Sequence, residues 1–222
     1  MVPLAQLVRQ ALGEARKLGA ISQNVANRVQ RNTGLDAEVI LPPPQQLDFR
    51  CDSYDDFVLS VNRLDRAKRI DLLLEAAAAD ESIRCVIAGD GPDEGRLREL
   101  ATKHGLNGRI EFAGRVSEIQ LADLYARCRG VYYAPVDEDY GMVPYEAFLS
   151  EKPVVTTTDA GGPLDVVSDR RTGLVCEPRG EAVAGAVRFL REHPEDVRSF
   201  GRAGKAVAEQ VTWDNAIDRL LA

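Results

Sequence analysis

From residue 55 onward, short apolar runs rich in β-branched residues alternate with longer stretches of helical periodicity. No other feature of this 222-residue chain constrains its fold as much. The runs Phe57–Val61, Ile83–Ala88, Arg109–Phe112, Gly130–Ala134, Pro153–Thr157 and Leu174–Cys176 read as strands. Helices are expected over Arg69–Ala79, 93–104, 118–127 (capped by Ser117) and 142–150, with a short one beginning near Gly162. Helices over 181–191, 195–210 and 213–221 close the chain. Strand–helix–strand steps favour right-handed crossovers, so the expected fold class is α/β, with a doubly wound parallel sheet. Ligands of such sheets sit beyond the carboxyl ends of the strands, so chemistry is sought in the loops that follow them.

The first fifty residues read differently. Leu4, Leu7, Val8, Leu12 and Ala15 recur at helical spacing. Ser22 can cap a second helix, along which Val25, Ala26 and Val29 line one face. Glu38–Leu41 is a short strand candidate, closed by Pro42, Pro43 and Pro44. Three successive prolines favour a stiff, extended connection, which places a domain boundary at 42–52.

Charge and cysteine usage exclude several classes. The formal charge of −7 makes a general nucleic-acid binder a poor fit. An anionic ligand would have to be held by local donors against the average field. No apolar run approaches transmembrane length, and the N-terminus has no signal-peptide pattern. Cys51, Cys85, Cys128 and Cys176 form no C-x-x-C, and His104 and His193 are the only histidines. The expectation is therefore no metal site, and reduced cysteines in a cytoplasmic protein.

The strand ends then supply candidate residues. After the first strand, Arg63 and Lys68 stand five apart around the start of a helix. Two cations beside free N–H groups suit a diphosphate, although the same residues also make an ordinary solvated basic turn. After the second strand comes Gly89-Asp90-Gly91-Pro92. Its glycine spacing is one residue too long for a dinucleotide fingerprint, and Asp90, Asp93 and Glu94 would repel a pyrophosphate. A tight turn letting a ligand approach the backbone near Gly91 is the better reading. After the fourth strand, Pro144 fits only the first turn of a helix, so that helix should begin near Gly141–Met142. Glu138 then lies in the loop before it, and Glu146 about one turn inside. Two carboxylates so placed can hold hydroxyls at two ends of a ligand, with a phosphate between them, or can be an acidic loop and a surface glutamate. After the fifth strand, Gly161-Gly162 expose N–H groups at the start of a short helix. Together these loops supply cations, backbone donors and hydroxyl acceptors on one edge, the requirements of a sugar nucleotide.

With these residues in place, the chain from 55 to 222 resembles the C-terminal, donor-binding domain of retaining GT-B glycosyltransferases of the group 1 (family 4) type, a Rossmann-like half of a two-domain fold. The motifs are Asn62-Arg63-Leu64 with Lys68, Gly89-Asp90-Gly91-Pro92, and Phe112-Ala113-Gly114-Arg115-Val116-Ser117. They continue with the Glu-x7-Glu pair Glu138 and Glu146, Lys152-Pro153-Val154-Val155, Gly161-Gly162 and Thr172-Gly173-Leu174-Val175. The resemblance implies that Arg63 and Lys68 hold the diphosphate and neutralise the leaving group. It implies that Glu146 binds the ribose, that Glu138 orients the donor sugar, that N–H groups of Gly141 and Met142 lie near phosphate or sugar, and that Arg115 and Val116 line the base. The expected substrate is a UDP-, GDP- or ADP-sugar, with no cofactor and no metal. The sequence departs from the family pattern at Asp139, where glycine is commoner, and at Asp165, where glutamate is usual.

The resemblance makes residues 1–50 the remnant of an acceptor domain with its linker, and 51–222 the nucleotide-sugar domain. The remnant is expected to be disordered, folded back on the sheet, or buried in a homodimer through residues 1–45. Three other readings compete. Asp137-Glu138-Asp139 satisfies the D-x-D metal motif of GT-A glycosyltransferases. A sugar-nucleotide epimerase would share the architecture. A donor-binding module inactive without a partner domain would share the site. A lipid acceptor would bring the protein to a membrane surface peripherally.

Overall fold

The computed structural model describes residues 4–45 and 47–221, with the side chains of Leu4, Ala5 and Leu7 outside the described part. The chain runs α1 (Leu4–Gly13), β1 (Gly19–Ala20), α2 (Gln23–Thr33) and β2 (Glu38–Val39) before the prolines. It continues through β3 (Val58–Val61), α3 (Ile70–Ala79), β4 (Cys85–Ala88), α4 (Glu94–Lys103), β5 (Ile110–Gly114), α5 (Glu118–Arg127) and β6 (Gly130–Tyr132). Then follow α6 (Val143–Leu149), β7 (Val154–Thr157), β8 (Gly173–Cys176), α7 (Gly180–Glu192), α8 (Pro194–Ala208) and α9 (Trp213–Leu221).

Strands β3 to β8 form one six-stranded, all-parallel sheet in the order β5-β4-β3-β6-β7-β8. This is the doubly wound order expected from the alternation. Residues of β6 and β7 are buried throughout, as both faces of a parallel sheet require. One face carries Leu73, Leu74, Leu97, Val183 and Leu190, and the other Tyr125, Tyr145, Phe148 and Ala208. Local rules place the helix ends. Ser117 and Gln120 form a reciprocal capping box on α5, and Pro144 sits in the first turn of α6.

Ahead of the sheet, β1 and β2 pair in parallel around α2, as a small βαβ unit. Ser22 caps α2 by accepting from the Val25 N–H at 3.0 Å. The strand candidate at 38–41 shortens to Glu38–Val39, and its partner β1 carries no periodic signal because it is two residues long. The unit folds back on the sheet rather than standing apart. The Tyr140 hydroxyl donates to Pro42 O, while α9 returns to the N-terminal unit, with Arg219 donating to Val39 O at 2.9 Å. Lys152, fully buried at the start of β7, pins the incoming chain by donating to Ser53 O at 2.5 Å and lying 3.9 Å from the Tyr54 ring centroid. Among the described residues no helix is long and apolar enough to cross a membrane.

Candidate functional site

In the observed strand order, β3 and β6 are neighbours whose crossovers leave on opposite sides. The loops after them therefore part and open a crevice at the carboxyl edge, the usual ligand position of such sheets. Lys68 comes from the loop after β3 and Glu138 from the loop after β6. The two side chains form an ion pair across this crevice, each about one-fifth exposed. Lys68 also lies 5.7 Å from the centroid of the Tyr133 ring.

The loop after β3 is built to present that lysine. Asn62 is buried and donates to Ser60 Oγ at 3.0 Å, so the chain leaves the strand in a fixed direction. A 3-10 turn over Arg66–Lys68 ends at Arg69, which takes a left-handed conformation with φ of 50°. Four acceptors hold Arg69 there: it donates to Ala134 O, Pro135 O, Thr157 Oγ1 and the Asp159 carboxylate at 2.6–2.9 Å. This fastens the Lys68 turn to the ends of β6 and β7. The hydrogen bond from Arg69 is the main reason the Asp159 carboxyl is held below its ordinary range. Arg63 stands exposed in the same loop.

The loop after β6 bends at Asp137, where φ is 45°, and is bridged at Glu138 to Gly161 in the loop after β7. Glu138 N–H donates to Ala160 O at 2.9 Å, and Gly162 N–H donates to Glu138 O at 2.7 Å. Gly161 has φ of 78°, and a Cβ there would lie 2.6 Å from Glu138 O, so the close approach needs glycine. Gly141 and Met142 then lead into α6. Glu146, in the first turn of α6, is buried and accepts from the Tyr125 hydroxyl at 2.7 Å. Burial pushes the Glu146 carboxyl above its ordinary value, against the opposing effect of that hydrogen bond. The Tyr133 hydroxyl is raised first by burial and then by the charge of Glu138, with a smaller effect from Glu146.

The turn after β4 completes the rim. Asp90 O accepts from Leu64 N–H at 2.8 Å, and a Cβ on Gly91 would fall 2.3 Å from Leu64 O. The turn is thereby clamped against the loop of Arg63 and Lys68. Its acids are engaged: Arg96 binds Asp93 at 2.6–2.7 Å, and Arg115 binds Asp90 at 2.8 Å. Arg115 itself is largely exposed and Val116 half-buried beside it.

Of the residues expected from sequence, Lys68 and Glu138 meet directly, while Glu146 is held apart from them by the Tyr125 hydroxyl. Gly161 and Gly162 support the Glu138 peptide with their backbone. Asp137 and Asp139, the outer acids of the D-x-D match, are bound by Asn24 and Arg28 of α2, whereas Glu138 pairs with Lys68. Sequence reasoning missed Arg69, Tyr125, Tyr133, Asn24 and Arg28. Each acts through a tertiary contact, and no local motif marks it.

A doubly wound parallel sheet with a cation–carboxylate pair spanning its switch point defines the Rossmann-like half of a GT-B fold. Solved structures agree on that fold. HepE from Anabaena, solved in complex with UDP and glucose, superposes with a TM-score of 0.80 at 22% identity, over 98% of this chain and 66% of that one. Sucrose-phosphate synthase from Thermosynechococcus elongatus gives 0.84 at 21% identity, over 98% and 60%. The profile of the family described as glycosyl transferases group 1 matches residues 48–207, and the chain belongs to that family. Among its relatives, the alpha-1,3/1,6-mannosyltransferase of Homo sapiens is 31% identical over 73% of this chain and 43% of its own length. The D-inositol 3-phosphate glycosyltransferase of Mycolicibacterium paratuberculosis is 29% identical over 94% and 50%. The chain thus spans about half the length of these curated relatives.

Proposed function

We propose that this chain binds the nucleotide-sugar donor of a retaining glycosyltransferase, from which a glycosyl group passes to an acceptor held by protein outside these 222 residues. The observation that carries this reading is the Lys68–Glu138 pair across the β3–β6 switch point. Charge accumulates on the departing diphosphate in the transition state. The Lys68 ammonium, with Arg63 in the same loop, is suited to offset that charge as it develops. Glu138 is positioned to accept from sugar hydroxyls and Glu146 from the ribose. In this reading the N–H groups of Gly141 and Met142 and the Gly91 turn serve the phosphates or sugar, and Arg115 and Val116 line the base. UDP-, GDP- and ADP-linked sugars all fit this chemistry.

The small parallel pair β1–β2 favours a division of labour. Two residues per strand is too short for a sheet that stands alone, and the chain spans about half the length of its curated relatives, so acceptor binding is assigned to protein outside it. We expect the isolated chain to bind donor without multiple turnover, because no acceptor is held within reacting distance. A thermal-shift panel of UDP, GDP, ADP and the parent nucleosides tests the reading. A ligand at 100 times its Kd should add about 2.7 kcal/mol of stability, and the nucleosides should add far less. Equal shifts for nucleoside and diphosphate would overturn it.

A further inference from the structure

The three acids Asp137, Glu138 and Asp139 lie in a bent loop, in which Asp137 takes a left-handed conformation with φ of 45° and Glu138 is bridged to Gly161. Glu138 faces Lys68. Its neighbours face α2. Asn24 Nδ2 donates to Asp137 Oδ1 at 2.8 Å and to Glu138 O at 3.1 Å. Arg28 donates to Asp139 Oδ1 at 2.6 Å and pairs with Asp137 at 3.3 Å. The same helix is anchored a third time, by its own N-terminus: Gln23 N–H donates to Asp165 Oδ2 at 2.6 Å, in the 3-10 turn that follows Gly161.

Glu138 O therefore accepts two hydrogen bonds, one from Gly162 in its own domain and one from Asn24 in the N-terminal unit. Room for the second exists only because position 161 has no side chain, since a Cβ there would lie 2.8 Å from Asn24 Nδ2. The side chains of Arg28, Asp137 and Asp139 are more than one-third exposed, so these ion pairs add little to stability. What they fix is direction. A peptide gripped on both sides holds the Cα–Cβ bond of Glu138 in one direction, toward the crevice.

We propose that Asn24, supported by Arg28, is a positioning residue that holds Glu138 toward the sugar of the donor, so that α2 couples the N-terminal unit to the sugar end of the site. This rests on the donor-binding reading above. It also gives a role to both outer acids of the Asp-Glu-Asp segment and to Asp165, which bind α2 at three points.

Calorimetry on the full chain tests it, with UDP, GDP and ADP and with UDP-glucose, GDP-mannose and ADP-glucose as probes. Couplings between sites typically amount to about 5–150-fold in affinity, and Asn24→Ala is expected at the low end. It should weaken the sugar-bearing probe about fivefold relative to its own diphosphate, whose Kd should stay within about twofold. Arg28→Met should show the same selective loss, and Arg28→Lys should restore the selectivity. Hydrogen exchange of the ligand-free Asn24→Ala chain should quicken at the Glu138 and Gly162 amides and stay unchanged in β3 and β7. Equal losses on both probe types, or no loss with unchanged exchange, would overturn the positioning role while leaving the donor site intact. Failure of the wild-type chain to bind any of the six probes would overturn the donor-binding reading and this inference with it.

Discussion

Replacing Lys68 by methionine removes the cation while keeping most of the aliphatic length that lies near Tyr133. Its partner Glu138 is about one-fifth exposed, as is Lys68, so the pair is neither a surface ion pair nor a dry one. Exposed pairs contribute about 0–1 kcal/mol, and breaking a buried pair costs about 3–5 kcal/mol. A hydrogen bond to a charged group between these limits contributes about 1.5–3 kcal/mol. If the diphosphate takes over that ammonium, Lys68→Met should weaken nucleoside-diphosphate binding by about 10- to 150-fold. Glu138→Gln tests the same geometry from the other side. It removes a negative charge that competes for Lys68, so diphosphate affinity should hold or improve, and the sugar-bearing donor should lose affinity. Calorimetric titration of both variants and the double variant, at low and high salt, reads these terms. The lysine effect should shrink as salt screens it. A Kd for Lys68→Met within threefold of wild type would refute the assignment. So would a double variant whose loss is the plain sum of the two singles, since residues that touch should couple.

Three further predictions concern individual positions. Burial holds the Glu146 carboxyl above its ordinary value of 4.5, so the folded state binds its proton more tightly than the unfolded chain does. Stability from this group is present at low pH and declines as pH rises through 4.5 toward the raised value. Glu146→Gln should therefore gain stability relative to wild type between pH 4 and pH 7, read by denaturant unfolding, while losing nucleotide affinity. A difference that does not change with pH would contradict this. Gly185→Ala lies in the interior of α7 with nothing within 4 Å of the added Cβ, so it should stabilise by about 0.5–1 kcal/mol. Gly161→Ala meets the Glu138 backbone at a positive φ and should destabilise by more than that, with a lower Tm.

The architecture was legible in the sequence because it rests on local chemistry. Apolar runs of three to six residues between helical stretches, Ser117 with Gln120, and Pro144 in a first turn are short-range signals, and each element they implied is present within a residue or two of its expected ends. The candidate loops followed from topology alone, since parallel crossovers put every strand's carboxyl end on one edge. What the sequence could not settle was which way side chains in those loops point. Asp137, Glu138 and Asp139 are three like acids in a row, and nothing local says that the middle one alone serves the crevice. That choice is made by α2, more than a hundred residues away, through Asn24 and Arg28. The same holds for Arg69. A basic residue one position past Lys68 looks like another candidate cation, but a left-handed backbone and four acceptors from β6 and β7 turn it into a brace. Periodicity and capping are properties of neighbours along the chain, whereas orientation at a strand end depends on partners that only the closed sheet brings within hydrogen-bonding distance.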